Sequence, residues 1–255
     1  MGPDHIRMRD FVHSLLDLHG NRAVLDIGCG KGYDLRRMGE RLGCDSVLVG
    51  VDSMEGAVAA AREEVGDDPR LRFMVGDVSG GLPFGSQSFD LVYSRDFLEC
   101  VTDRDAMIRE VHRVLKPGGQ VAFVHYDWDS QIINGSNKSL IRKIVHEFAD
   151  WKQGWMVDCD GWMGRRLWGA FNKSGLFDGS IQTFVITNTE FDEPYQGHAR
   201  IHDFSSLVSQ GKITAEEYSA FLEDIKTTAA KGEYFYSVTT FIYIGQPRRH
   251  LPTGI

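Results

Sequence analysis

Three aspartates and a run of glycines carry the chemistry legible in this chain. Asp26 lies inside an apolar stretch, Val24-Leu25-Asp26-Ile27, and Gly28-Cys29-Gly30-Lys31-Gly32 follows at once. Alternate glycines let a backbone turn sharply and approach a ligand with no Cβ in the way. A carboxylate at Asp26 can orient that loop, or reach an ammonium group directly or through water. Asp52 closes the next apolar run, about twenty residues on, where an acidic residue commonly accepts bonds from a ribose 2′-hydroxyl. Both oxygens together can take the 2′- and 3′-hydroxyls. Asp77 and Ser94-Arg95 close two further runs. The spacing is G-x-G-x-G, not the G-x-G-x-x-G of dinucleotide loops, and no G-x-x-x-x-G-K-[ST] phosphate loop occurs. Alone, each acidic residue reads equally well as a helix cap or turn residue. Behind one glycine loop they point to a nucleoside-bearing ligand.

The elements that must position these residues follow from periodicity. Residues 5–19 place apolar side chains at helical spacing and stop at Gly20. Residues 23–27, 46–51, 71–75, 89–93 and 120–126 are short apolar runs that read as strands. Residues 33–42, 54–65 and 103–115 between them read as helices, the last stopping at Lys116-Pro117-Gly118-Gly119. Such alternation implies βαβ units in a mainly parallel sheet covered on both faces. Ligands of such sheets bind outside the carboxyl ends of the strands, where Asp52, Asp77 and Ser94-Arg95 fall. Farther on, residues 137–151, 162–174 and two segments within 203–230 read as helices, with Thr214 and Glu217 forming a capping box. Residues 181–188 and 235–244 read as strands, the latter rich in aromatic and β-branched residues.

The chain has 255 residues, 42% apolar and 25% charged, with a formal net charge of −8. One domain is the simplest organisation for this length. The acidic balance argues against a nucleic-acid backbone as main partner. The densest basic sites, Arg36-Arg37, Arg165-Arg166 and Arg248-Arg249, are only pairs. Cys29, Cys44, Cys100 and Cys159 show no C-x-x-C spacing, and the N-terminus does not resemble a signal peptide, so free thiols in a cytoplasmic protein are expected. No apolar run reaches the ~18–20 residues of a membrane span.

With these residues in place, the chain resembles the class I S-adenosylmethionine-dependent methyltransferases, of the small-molecule type. VLDIGCGKG (24–32) is similar to their first motif, and VGVDSM (49–54) to the second, with Asp52 as the ribose acid. VGDVSGGLPFGSQSFDLVYSRDFLECV (75–101) resembles the third and fourth motifs combined, with Asp77-Val78 facing the adenine. LKPGG (115–119) resembles the turn before the fifth strand. The resemblance covers about residues 20–127, half the chain. It implies a Rossmann-like α/β fold: a seven-stranded, mostly parallel sheet with the last, inserted strand antiparallel, near 235–244. It implies S-adenosylmethionine as cofactor and S-adenosylhomocysteine as product. The residues it assigns to the cofactor are Asp26, Gly28, Cys29, Gly30, Gly32, Asp52, Ser53, Met54, Gly76, Asp77, Val78, Ser94 and Arg95. Residues 128–160 and 190–233 are then helical lid insertions on a single methyltransferase domain, 1–255. Two departures matter. Leu98-Glu99-Cys100 stands where many small-molecule members carry a His pair, and the NPPY or DPPY motif of amide and nucleobase amine enzymes is missing.

The acceptor side is less defined. His125-Tyr126-Asp127-Trp128-Asp129 follows the fifth strand; His125 or Asp127 can act as base or hold an amine, and Trp128 can stack on a substrate or a methylammonium. The same residues can equally finish the strand and cap the next turn. Trp151, Trp155, Trp162 and Trp168 gather with Met156 and Met163 among them, as either a substrate pocket or the packing of a lid. Tyr126, Trp128, Trp155 and Trp162 are the substrate candidates. His198 and His202 have a metal-capable spacing, but no carboxylate–His set completes a site, so no metal is expected. The expected function is methyl transfer to O or N of a small molecule, by a monomer or homodimer without nucleic acid or membrane. A protein or RNA methyltransferase, a C-methyltransferase of a quinone- or polyketide-like ring, and a non-catalytic cofactor-binding protein are the alternatives. A dehydrogenase is disfavoured by the glycine spacing and the lack of a matching Tyr-x-x-x-Lys.

Overall fold

A computed structural model describes residues 2–154, 156 and 158–248. Its elements are α1 (Pro3–Ser14), β1 (Ala23–Ile27), α2 (Tyr33–Gly39), β2 (Val47–Asp52), α3 (Glu55–Val65), β3 (Leu71–Val75), β4 (Phe89–Arg95) and α4 (Arg104–Val114). Then come β5 (Leu115–Ile133), α5 (Lys138–Ala149), α6 (Met163–Ser174), β6 (Phe177–Asn188), α7 (Gln196–Asp203), α8 (Ser206–Ser209), α9 (Ala215–Ala230) and β7 (Tyr236–Pro247). The strands hydrogen-bond in the order β3-β2-β1-β4-β5-β7-β6. The pairs β1–β2, β1–β4, β2–β3 and β4–β5 are parallel, and β5-β7-β6 is antiparallel. This is the expected Rossmann-like sheet with its late strand inserted.

The chain divides into two compact units. The first, the glycine-loop unit, holds Val12–His125, Arg166–Gln182 and the chain from Ile242. Its strands are buried on both faces: Val24, Leu25 and Ile27 of β1, Leu48 and Val51 of β2, Leu91, Val92 and Tyr93 of β4, Val121 through Val124 of β5. That explains their continuous rather than alternating apolar pattern. Helix α4 buries Met107, Ile108, Val111 and Val114, a helical stripe. Asp103 caps it by accepting the Ala106 N–H at 2.8 Å. In α6, Phe171 stacks on Tyr243 with centroids 4.1 Å apart, and full burial of each such ring contributes about 1.5–3 kcal/mol.

The second unit holds the chain up to Phe11, Tyr126–Arg165 and Thr183–Phe241. The apolar stripe of α5, Ile141, Ile144, Val145 and Phe148, is buried, and Phe148, Phe204 and Phe221 form an aromatic row. The capping box of α9 is present, with both the Thr214 and the Glu217 bonds made.

Several boundaries differ from expectation. The N-terminal helix ends at Ser14, not His19: Leu15 and Leu16 donate back three residues, to Val12 and His13, and the Gln120 amide takes up the Leu15 carbonyl. Lys116–Gly119 is an irregularity within β5 rather than a turn before it, since Phe89 pairs with Leu115 and Leu91 with Gln120. β5 then continues to Ile133, so residues 128–133 are strand, not the start of a helical insertion. Helix α7 lies ahead of the two helices expected within 203–230, where none was read. Ile201 is its one large apolar side chain, and distant side chains hold its start. Asp4 accepts the Gln196 N–H and Asn188 Oδ1 accepts the Gly197 N–H, each at 2.8 Å.

Candidate active site

The glycine loop springs from β1 with Gly28, Gly30 and Gly32 all in the left-handed region, at φ 73°, 52° and 70°. These glycines are held for different reasons. A Cβ at Gly32 would lie 2.5 Å from the Phe73 ring, and one at Gly28 would lie 3.1 Å from Phe97. A Cβ at Gly30 would meet no atom within 4 Å, so packing does not demand glycine there and only the conformation does. The loop is fastened to β2 by the Gly28 N–H, which donates to the Val51 carbonyl at 2.8 Å.

Asp52 organises the site. Its Oδ2 accepts the Gly30 N–H and its Oδ1 the Met54 N–H, each at 2.8 Å. Each carboxylate oxygen accepts about two bonds, so one acceptor position on each oxygen remains for a diol. Asp26 is buried. Beside it and Asp52, burial first and then the two negative charges push the Cys29 thiol above its ordinary range. Cys29 is therefore a neutral loop residue, not a nucleophile. The Gly76 N–H donates to the Asp52 carbonyl at 2.9 Å. Asp77 accepts the Ser79 N–H at 2.8 Å, which holds its carboxyl below the usual carboxylate range. Val78 is buried, while Ser53 and Met54 are exposed.

The glycine loop, Asp52 and the Gly76–Asp77 turn thus lie at the carboxyl ends of adjacent parallel strands. Ser94 and Arg95, also assigned to the cofactor, are the last two residues of β4. Ser94 is fully buried, and its hydroxyl donates to the Ile27 carbonyl at 2.8 Å, lacing β4 to β1. Arg95 turns its guanidinium to Asp96 at 2.7 Å and Asp34 at 3.4 Å.

Sequence reasoning missed the staple that holds the loop after Asp77. Glu110 of α4 accepts the Leu82 N–H at 2.9 Å and binds Arg113 through two bonds of 2.7 Å. Arg113 in turn donates to the carbonyls of Leu82 and Phe84. The Arg113 guanidinium holds the Glu110 carboxyl down to about 2. The only local signal was a Glu three residues before an Arg on a helix, a pattern that reads as an ordinary surface pair.

The acceptor-side candidates separate between the units. In the glycine-loop unit, His125 is fully buried, and its Nε2 accepts the Leu98 N–H at 3.0 Å. The neutral ring then carries its proton on Nδ1. In the second unit, Asp127 is equally buried and is clamped by Arg165: its Oδ2 takes the Arg165 Nε and its Oδ1 a terminal nitrogen at 2.6 Å. Asp127 keeps Arg165 above its ordinary value, and Asp129 adds to this at 3.5 Å. Gly164 permits the approach, since a Cβ there would lie 2.9 Å from the Asp127 nitrogen.

Tyr126 packs on Trp128 at 4.6 Å, and Arg200 lies over the rings of Trp128 and Phe148 at 4.5 and 4.8 Å. Trp162 lies under Arg165 at 4.6 Å, whereas Trp168 belongs to the glycine-loop unit and is exposed. Trp155 lies outside the described residues. His198 and His202 bring their Nε2 atoms within 3.2 Å, and among the described residues no group of three or more potential metal ligands occurs.

The strand order is that of a Rossmann-like methyltransferase sheet. Residues 25–123 match the family model described as a methyltransferase domain, and the chain resembles the class I S-adenosylmethionine-dependent methyltransferases. Methyltransferase GfsG of Streptomyces halstedii is 31% identical over 146 residues, 56% of this chain and 50% of that protein. An uncharacterized 37.1 kDa protein in transposon TN4556 of Streptomyces fradiae is 26% identical over 233 residues, 91% of this chain and 64% of that one. The chain thus spans between half and two thirds of these relatives. The YcgJ protein of Bacillus subtilis shares the fold, with a TM-score of 0.62 at 17% identity over 96% of this chain and 100% of that one. Among the described residues no helix is long and apolar enough to cross a membrane.

Proposed function

We propose that the protein binds S-adenosylmethionine at the glycine loop and transfers its methyl group to an oxygen or nitrogen of a small organic molecule. One observation carries the cofactor reading: Asp52 braces Gly30 and Met54 with one bond per oxygen and retains an acceptor position on each. That is the requirement of a ribose diol. Bound there, S-adenosylmethionine supplies a methyl group already activated on sulfur. The chain is left to bind, orient and exclude water, and no single side chain has to supply most of the rate. The acidic net charge of −8 and the lack of a basic tract favour a compact organic acceptor over a nucleic acid.

Calorimetric titration with S-adenosylmethionine and, separately, NAD tests this, with Asp52→Ala alongside. Bonds to a charged group contribute about 1.5–3 kcal/mol, so the variant should bind S-adenosylmethionine at least roughly tenfold more weakly. Binding of neither ligand by the wild type, or of NAD in preference, removes the reading. Release of S-adenosylhomocysteine with a panel of phenols, carboxylic acids and amines then distinguishes oxygen from nitrogen acceptors.

A further inference from the structure

We infer that His13 is a positioning residue for the glycine loop, acting through the Asp34 carboxylate on the helix that follows the loop, and so on cofactor affinity. The inference rests on the reading of that loop as the S-adenosylmethionine site.

Three pieces of the glycine-loop unit meet at Asp34. His13, in the last turn of α1, places its Nε2 3.0 Å from Asp34 Oδ1. Arg95, the last residue of β4, places its Nε 3.4 Å from Asp34 Oδ2 and binds Asp96 at 2.7 Å. Asp34 itself is the second residue of α2, two positions after Gly32. His13 and Asp34 are 3% and 6% exposed, so both polar groups have left water. A carboxylate buried that far is costly without donors.

The neighbourhood fixes the imidazole as well as the carboxylate. Its ring stands edge-on to Tyr93, centroids 6.2 Å apart, and the His13 carbonyl accepts from Arg41 at 2.8 Å. The helix needs this support. Gly32 is its N-cap, left-handed at φ 70°, and has no side chain to cap the first turn. The Gly32 N–H closes the glycine loop on the Cys29 carbonyl at 2.9 Å. The loop's exit and the first turn of α2 are therefore one stretch of backbone, and its lateral anchor is Asp34. Removing His13 takes one donor from that anchor and loosens the exit of the loop, although His13 lies outside the loop itself.

The test measures the affinity for S-adenosylmethionine by calorimetry and the thermal midpoint of the unliganded protein, for wild type, His13→Ala, His13→Gln and Phe171→Leu. Phe171, a core residue of α6, controls for stability alone. His13→Ala should raise Kd about tenfold, His13→Gln should restore it to within about twofold by keeping a donor, and Phe171→Leu should lower the midpoint with Kd unchanged. A His13→Ala Kd within twofold of wild type overturns the inference, as does an equal rise in Phe171→Leu. Should His13→Ala not fold, Asp34→Asn is titrated in its place, and an unchanged Kd there overturns it too. A wild type that takes up no S-adenosylmethionine removes the reading of the loop and this inference with it; an unaffected variant beside a binding wild type removes this inference alone.

Discussion

Replacing Glu110 by Gln tests whether the loop that follows Asp77 is held by a charged staple or by packing. The folded carboxyl lies at about 2 against an ordinary 4.5. At ~1.4 kcal/mol for each tenfold change in proton affinity, that difference corresponds to a ceiling of about 3 kcal/mol. Glu110 is 27% exposed and Arg113 34%, so solvent screens part of it, and about 1–2 kcal/mol is the expected contribution. The sign follows from a depressed folded value. The unfolded chain takes up its proton first as the pH falls, so the contribution is complete above the ordinary value and disappears as the pH drops from about 5 toward 2. Roughly a quarter is lost by pH 4. Urea unfolding of wild type and Glu110→Gln at pH 7, 5 and 4 measures it. The gap between them should be about 1–2 kcal/mol at pH 7 and narrow steadily below pH 5. A gap that stays constant from pH 7 to pH 4 would refute the charged staple and assign the effect to lost shape. Because Glu110 accepts the Leu82 N–H and Arg113 donates to the Leu82 and Phe84 carbonyls, the same variant should weaken S-adenosylmethionine binding through a looser Asp77–Val78 turn.

Three further outcomes follow from the site. Gly32→Ala, whose Cβ would fall 2.5 Å from Phe73, should cost more than about 2 kcal/mol in urea unfolding. Gly30→Ala meets open space, and should cost only the ~1 kcal/mol of its left-handed conformation while losing cofactor affinity out of proportion; equal stability costs would contradict the distinction drawn between the two glycines. His125→Leu leaves the buried Leu98 N–H without its acceptor and should destabilise by about 1–3 kcal/mol; an unaltered melting curve beside lost turnover would instead make His125 a base. Arg165→Met strands the buried Asp127 carboxylate and should cost about 3–5 kcal/mol, and the added change Asp127→Leu should recover much of that; additive losses in the double-mutant cycle would show that the pair does not couple.

The sheet was legible because its signals are local. Val24–Ile27 and Leu48–Val51 are short, mainly apolar runs closed by glycine or aspartate, and such runs in a chain that alternates strand and helix admit few arrangements. Asp52 was legible for the same reason, since one rule about strand ends locates it. What escaped was held by partners far apart in sequence. Arg165 meets Asp127 across thirty-eight residues, and Asp4 fixes the start of α7 from nearly the other end of the chain. Neither leaves a period or a motif. Arg165 showed only as half of an arginine pair, and Gln196–Asp203 lacked the apolar stripe by which a helix is recognised. The Glu110–Arg113 pair was local, but helix-surface patterning alone does not distinguish a loop staple from an idle ion pair.

His125 and Asp127 show how a sound rule goes astray when one strand end is misplaced. With β5 ending at Tyr126, both stood at the mouth of the sheet, where ligand-facing groups belong. The strand instead runs to Ile133, and the two residues sit within it, both fully buried. They share one face, two positions apart, and a strand interior keeps buried polar groups only when they are bonded. That is their condition: the imidazole accepts a backbone N–H, and the carboxylate holds a guanidinium. A base must exchange its proton with the acceptor, and both Asp127 oxygens are engaged by Arg165. The geometry therefore favours positioning over proton transfer for both. It places the burden of deprotonation on the acceptor's own acidity, so acidic phenols and carboxylic acids should outpace unactivated alcohols in the acceptor panel. Equal rates across that series would restore a general base to the site.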